Sequence, residues 1–179
     1  MRKIRTERLD LVPVRSTNAD VLWRLMQSED LRVYQDLPRM ERSQFISLIA
    51  SRKTRFGPRT PGRFEWLLYP FDVAQPAGWV SLRVGERTTS IGEIGYSLVS
   101  LYRGRGLATE AVRALIDEAF SRGCLARLRA YCIPENSASR EVLRRLGFVE
   151  NGILPHGASL RGRAVDVVSY VLEAPTPPK

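Results

Sequence analysis

The stretch Arg103-Gly104-Arg105-Gly106-Leu107-Ala108 decides how this chain is read. Before it lies a strand-like apolar run, Ile91 to Val99. After it comes a long amphipathic pattern, with Leu107, Ala111 and Leu115 beside Val112, Ile116 and Ala119 on one helical face. Two glycines within six residues let a backbone come close to a ligand. A loop that opens a helix also turns unpaired N–H groups and the positive end of the helix dipole toward an anion. The segment therefore reads as a cradle for a pyrophosphate. It is not a P-loop, because Gly106 is followed by Leu107 and Ala108 rather than by Lys and Ser or Thr. Nor is it the dinucleotide fingerprint, which needs Gly or Ala where Thr109 stands and belongs to an opening strand-turn-helix unit.

Outward from the loop the chain alternates between strand and helix signals. Leu9 to Val14 reads as a strand, and Thr17 or Asn18 can cap a helix carrying Val21, Leu22, Leu25 and Met26. A second helix is expected from about Ser43 to Lys53, ended by the Gly/Pro-rich segment from Gly57 to Gly62. Phe64 to Tyr69, Gly78 to Val84 and Ile91 to Val99 then form an antiparallel meander. The long helix runs from Leu107 to Arg122, with Gly123 where a C-cap glycine belongs. A strand from Leu125 to Ile133, a helix from Ser137 to Leu146 and a hairpin of Phe148 to Leu154 with Val165 to Leu172 complete the order. Strand, loop, helix, strand around the glycine motif forms a crossover within a mixed α/β sheet.

The loop fits the R/Q-x-x-G-x-G/A signature, with Arg103, Gly106 and Ala108 in the defined places, and so resembles the acetyl-CoA loop of the GNAT N-acetyltransferase superfamily. Further matches extend both ways. Asn136-Ser137-Ala138-Ser139 with Leu146-Gly147-Phe148 resembles the family's N-x-x-S helix and its exit. Thr6 to Val14 resembles its opening strand, Gly78-Trp79-Val80 its mid-sheet entry, Glu93-Ile94-Gly95-Tyr96 its E-I-G-Y strand, and Arg161 to Asp166 its closing hairpin. Together they point to the RimJ/RimL-like branch, whose best-known members acetylate ribosomal protein N-termini.

That resemblance implies a GNAT fold: a mixed, mostly antiparallel sheet with splayed central strands and flanking helices. The implied cosubstrate is acetyl-CoA. The splay is expected between Glu93 to Val99 and Arg127 to Ile133, with backbone of Ser97, Leu98 and Val99 holding the pantetheine arm. Amides from Arg105 to Thr109 would hold the pyrophosphate, making Arg103, Gly104, Arg105, Gly106, Leu107, Ala108 and Thr109 the cofactor loop, while Asn136 and Ser139 contribute from the next helix. Ser139 would bond the CoA sulfur and help the thiolate leave. Glu93 is the candidate base. Each has an ordinary reading as well: Glu93 as a surface partner for an arginine, Asn136 as a helix cap, and Ser139 as a first-turn serine bonding its own backbone. Tyr96 and Tyr131 read more readily as packing, His156 as an exposed loop side chain and Cys132 as an inert strand thiol.

Bulk properties suit one enzyme-sized domain, residues 1–173, followed by a loose Pro-rich tail, 174–179. No apolar stretch is long enough to span a bilayer and the first residues lack the apolar core of a signal peptide, so a cytoplasmic location without membrane contact is expected. With one histidine and no C-x-x-C pair, no metal is expected. The net charge of +9 favours anionic partners, yet lysine stands only at 3, 53 and 179, leaving 25 of the 28 basic residues as dispersed arginines. Only Arg52 to Arg63 gathers into a basic loop, read as a solvated segment ahead of an acidic-partner site. The expected function is direct transfer of acetyl from acetyl-CoA to a primary amine, either a protein N-terminal α-amine, including that of a ribosomal protein, or a small molecule. A CoA-binding module without turnover and a ribosome- or RNA-associated basic protein are the alternatives, although no aromatic-basic RNA motif supports direct nucleic-acid binding. A monomer and a homodimer are both open.

Overall fold

Alternation of buried and half-buried residues along Leu9-Asp10-Leu11-Val12-Pro13 makes the second strand of a large sheet. The computed structural model describes residues 1–37, 40–88 and 90–175. Among them, β1 (Ile4–Arg5), β2 (Leu9–Pro13), β3 (Gly62–Pro70), β4 (Gly78–Val84), β5 (Ile91–Leu98), β6 (Arg127–Cys132), β7 (Val149–Leu160) and β8 (Arg163–Glu173) form one sheet, ordered β1-β2-β3-β4-β5-β6-β8-β7. Neighbours are antiparallel except β5 and β6, which run parallel. Four α-helices flank the sheet: α1 (Ala19–Met26), α2 (Arg42–Ala50), α3 (Leu107–Ser121) and α4 (Ser137–Arg145). None is long and apolar enough to cross a membrane.

The two faces of the sheet carry separate cores. On one, Phe64, Trp66 and Leu68 of β3 and Ile94 and Leu98 of β5 pack against Leu107, Ala111, Leu115 and Ala119 of α3 and Leu143 of α4. On the other, Leu67 and Trp79 meet Leu22 and Met26 of α1 and Phe45 and Ile49 of α2. Each large apolar side chain so buried contributes about 1.5–3 kcal/mol. The helix spacing read from the sequence thus faces the core as expected. Glu65, only 2% exposed, lies between the cores' edges and is hydrogen-bonded by Arg52 and by Arg63 Nε at 3.0 Å. Two arginines of the expected solvated basic loop, half-buried Arg52 and exposed Arg63, therefore reach inward to pair a buried carboxylate.

Several boundaries differ for physical reasons. β1 is too short to carry a periodic signal. The β7–β8 hairpin is longer than expected because Leu160 and Arg163 still pair, and Arg161 (φ 54°) and Gly162 (φ 75°) make a two-residue left-handed turn that matches strand twist. Of the proline-rich tail, residues 176–179 lie outside the described residues, and Ala174 still donates its N–H to Ala126 O at 2.8 Å.

At the end of α3 the left-handed residue is Cys124 (φ 50°), not Gly123. Gly123 is needed for space instead: an added Cβ would stand 2.4 Å from Ala119 O and 2.8 Å from Phe56 Cζ. Gly123→Ala is expected to destabilise by about 1–3 kcal/mol, lowering Tm by roughly 3–10 °C. Cys124→Gly should hold or raise Tm, because it relieves a left-handed side chain. Thermal melts of the two variants check the assignment.

Candidate active site

β5 and β6 pair at only three positions, Ile91 with Arg127, Gly92 with Leu128 and Glu93 with Arg129. Beyond them the strands part, while β5 stays laddered to β4 as far as Leu98 and β6 to β8 as far as Cys132. The gap opens into a cleft of about 530 Å³ lined from β5, β6, the glycine loop, α4 and the segment around a 3₁₀ turn at Glu29–Arg32. That volume is ordinary for a small-molecule site.

Register decides which peptide groups face the gap. Val99 donates its N–H to Ala77 O at 2.9 Å, on the β4 side. Successive residues of a strand turn their N–H and C=O to opposite edges, so Ser97 also faces β4, while Tyr96 and Leu98 present their peptide groups to the cleft. Of the three residues expected to offer backbone to the arm, only Leu98 is so oriented, and Val99 does not line the cleft. Ser97 lines it through its hydroxyl, which accepts a bond from Gln35 Nε2 at 2.7 Å.

The glycine loop is built as its sequence implies. Gly106 caps α3 with φ 77° and Gly104 has φ 72°, conformations that a Cβ disfavours. Among the described residues nothing accepts a hydrogen bond from the amides of residues 104–109. These unpaired donors at a helix N-terminus fit a pyrophosphate. Gly104, Gly106, Leu107, Ala108 and Thr109 all line the cleft. The arginines act differently from a simple charge clamp. Arg103 Nε donates to Leu98 O at 2.8 Å, and its Nη2 reaches Asp30 O at 3.0 Å and the Asp30 carboxylate at 3.2 Å. It fastens the loop to β5 and to the 3₁₀ segment. Arg105 is exposed and lies over the Tyr102 ring, 6.0 Å from its centroid.

Across the gap, Asn136 caps α4 by accepting the Ser139 N–H at 3.0 Å, which leaves its side-chain NH₂ as a donor at the cleft. The Ser139 hydroxyl lies 2.9 Å from the Tyr96 hydroxyl, and Tyr96 also reaches Ser139 O at 3.1 Å. Burial pushes the Tyr96 phenol well above its usual range, so it stays a proton donor throughout the neutral range. Cys132 lines the same end of the cleft, and burial raises its pKa too, keeping it a thiol. Tyr131 lines the cleft, whereas His156 sits out on the hairpin, giving its N–H to Asp166 at 2.9 Å.

Glu93 stands apart. It shares a strand face with Gly95 and Ser97, yet it does not line the cleft, and its carboxylate pairs with Arg83 at 3.1 Å at the closed end of the β5–β6 pair. The cleft's own carboxylates are committed as well. Asp30 accepts the Ser100 N–H and pairs with Arg103. Glu141 is hydrogen-bonded by Arg144 and Arg145, which hold its carboxyl down at about 2.

Tyr34, Gln35 and Asp30 are cleft residues that sequence reasoning did not single out, because they sit in an irregular segment without periodicity. This segment meets the closing hairpin: Ser159 Oγ and Arg161 N donate to Asp36 at 2.8 Å each. The segment after the 3₁₀ turn and the β7–β8 hairpin are thereby joined, with Pro38 and Arg39 outside the described residues.

Comparison with known proteins bears on this geometry. Residues 8–149 match the family described as Acetyltransferase (GNAT) domain. The uncharacterized N-acetyltransferase p20 of Bacillus licheniformis is 30% identical over 173 residues, 96% of each chain. The ribosomal-protein-serine acetyltransferase of Escherichia coli (strain K12) is 32% identical over 93 residues, 52% of each chain. In fold, the chain is similar to RimL, a ribosomal L7/L12 α-N-protein acetyltransferase solved in complex with coenzyme A, with TM-score 0.78 and 20% identity over 96% of this chain and 98% of that one. A parted β5–β6 pair, an amide cradle at the head of α3 and a match spanning both are consistent, and the chain belongs to the GNAT family of acetyl-CoA-dependent N-acetyltransferases.

Proposed function

We propose that this enzyme acetylates the α-amine of a peptide or protein N-terminus, with the N-terminus of a ribosomal protein as the leading acceptor. The observation that carries this reading is the state of the cleft's carboxylates. Asp30 and Glu141 are both engaged by arginines, and Glu93 lies off the cleft. An acceptor must therefore supply its own neutral amine. At pH 7 an α-amine with a pKa of about 7.8 is neutral in roughly one molecule in seven, against roughly one in 2,500 for a lysine side chain. The partial relationship to a ribosomal-protein-serine acetyltransferase supports the same class. Such an acceptor meets acetyl-CoA in the cytoplasm.

Acetyl-CoA supplies the activated acyl group. The residues supply placement and one proton. The amides of residues 104–109 hold the pyrophosphate, and Leu98 and Tyr96 offer peptide groups to the pantetheine arm, which Asn136 meets from the opposite side. The acceptor enters between Tyr34 and Gln35 and the hairpin fastened at Asp36. Tyr96 and Ser139 form a hydroxyl pair that hydrogen-bonds the departing sulfur; the proton the pair gives to the thiolate is restored from water, which takes up the proton that the amine releases. Cys132 remains a protonated bystander.

Peptides with free Ser, Ala or Thr N-termini should exceed N-blocked lysine peptides in kcat/KM at pH 7 by roughly 300-fold, the ratio of their neutral fractions. Initial-rate measurement of thiol release reads this. Comparable rates for both amines would sink the α-amine reading, and acetyl-CoA binding without turnover on any amine would favour a binding module.

For the preferred peptide, kcat/KM should rise with pH through a midpoint near about 7.8 to a plateau above about 9 and hold toward 10, because the raised Tyr96 keeps its proton there. Ser139→Ala and Tyr96→Phe should each lower kcat by about 10- to 100-fold, with KM for acetyl-CoA changed by less than about threefold. Glu93→Gln should leave kcat within about threefold. A hundredfold loss in Glu93→Gln with flattening of the pH profile would instead make it the base.

A further inference from the structure

The outer side of the glycine loop is held by residues from the start of the chain, almost a hundred positions earlier. Arg8 Nη1 donates to Arg105 O at 2.9 Å. The same guanidinium gives its Nε proton to Glu110 Oε2 at 2.7 Å, and Glu110 Oε1 accepts from the Arg8 N–H at 2.8 Å and from Thr6 Oγ1 at 2.6 Å. Glu110 belongs to the first turn of α3, where its own N–H bonds Gly106 O at 3.1 Å. Thr6, Arg8 and Glu110 thus close a ring that runs from the β1–β2 turn to the loop and back through the helix.

One consequence follows from peptide geometry. The Arg105 carbonyl and the Gly106 N–H belong to a single planar, trans unit and point in opposite directions. A carbonyl fixed outward to Arg8 sends the Gly106 N–H inward to the cleft. Rotation of this peptide turns on ψ of Arg105 and φ of Gly106, and Gly106, with φ 77° and no Cβ, lets the second of these change at low cost. Arg8 removes that freedom. Its charge is matched by Glu110 at 2.7 Å, so its effect does not require it to attract the pyrophosphate itself.

We infer that Arg8, oriented by Thr6 and Glu110, is a positioning residue for the acetyl-CoA pyrophosphate, acting by holding the Arg105–Gly106 peptide with its N–H toward the cleft. It touches no reacting atom. Its loss should therefore weaken donors that carry a pyrophosphate and spare donors that do not. The inference concerns the donor side and does not depend on which amine is the acceptor.

The test compares acetyl-CoA with S-acetylpantetheine, which has the thioester and arm but no pyrophosphate. In Arg8→Ala, KM for acetyl-CoA should rise about 10- to 30-fold while kcat stays within twofold, and kcat/KM for S-acetylpantetheine should stay within twofold of the unmodified enzyme. Thr6→Val, which removes the hydroxyl that supports Glu110 and also bonds Leu9 at 3.1 Å in the β1–β2 turn, should move KM for acetyl-CoA the same way by about two- to fivefold, and it keeps the question answerable if Arg8→Ala does not fold. Arg8→Lys can meet Glu110 or Arg105 O but not both in the same fork, so it should fall between the two. Calorimetric titration of CoA gives the same ranking without any acceptor. Equal losses for both donors would reduce Arg8 to a general structural prop, and an unchanged KM for acetyl-CoA would remove it from donor binding; either result overturns the inference.

Discussion

Everything in this molecule turns on two parallel strands that stop pairing. A complete β5–β6 ladder would satisfy its own peptide groups, each bond contributing about 0.5–1.5 kcal/mol, and would leave nothing for a ligand to bind. The strands can part because each is fully laddered on its far edge, β5 to β4 and β6 to β8. Neither depends on the other for its conformation. Tyr96 and Ser139 then bridge the opening from β5 to α4 with a hydroxyl contact of 2.9 Å, so the gap has a defined floor. The parallel arrangement matters as well, since it requires a crossover, and α3 is that crossover. The helix whose N-terminus lines the cleft is thus placed by the same topology that opens it.

The donor half of the site was legible because it is written in backbone requirements. Glycines at 104 and 106, the apolar stripe of α3 and the Asn136 cap each have a local physical cause that survives in sequence. Which residues of β5 face the gap was not legible, because the answer depends on register. A shift of one residue exchanges Ser97 and Val99 for Tyr96 and Leu98, and apolar alternation alone does not say which edge will lack a partner. Asp30 and Gln35 escaped for another reason: they lie in a segment with a 3₁₀ turn and no regular helix or strand, where contacts come from tertiary placement. Gly123 was read correctly as a helix terminator but for the wrong cause, since crowding from Phe56, distant in sequence, fixes it.

Charge composition pointed outward, yet several arginines serve buried carboxylates of this chain. Glu65 and Glu118 are both about 2% exposed, and each is held by two arginines, Arg52 with Arg63 and Arg2 with Arg122. Removing one arginine leaves the other in place, so it is loss of both that would leave an uncompensated buried carboxylate, which typically costs about 3–5 kcal/mol. Arginine suits this use because its planar fork can satisfy a carboxylate and a carbonyl together. Arg103 and Arg8 apply the same property to the glycine loop, from its inner and outer sides. A net charge of +9 is therefore weak support for a nucleic-acid surface in this chain.

The two halves of the cleft follow different logics. The donor side relies on peptide groups, whose placement tolerates side-chain change so long as glycines and caps are kept. On the proposed reading the acceptor side would rely on side chains of Tyr34, Gln35 and the hairpin joined to them through Asp36. Such a division lets one donor cradle serve many amines. It also explains why a base need not be built into the cradle. When the acceptor is an α-amine, the proton that must be lost is held only weakly at neutral pH, and water can take it. A lysine acceptor would need a carboxylate free of arginine at the cleft, a change confined to the acceptor side. The pairing of Asp30 with Arg103 and of Glu141 with Arg144 and Arg145 supports the proposed α-amine acceptor, because each pair occupies a carboxylate that a less acidic ammonium would require as base.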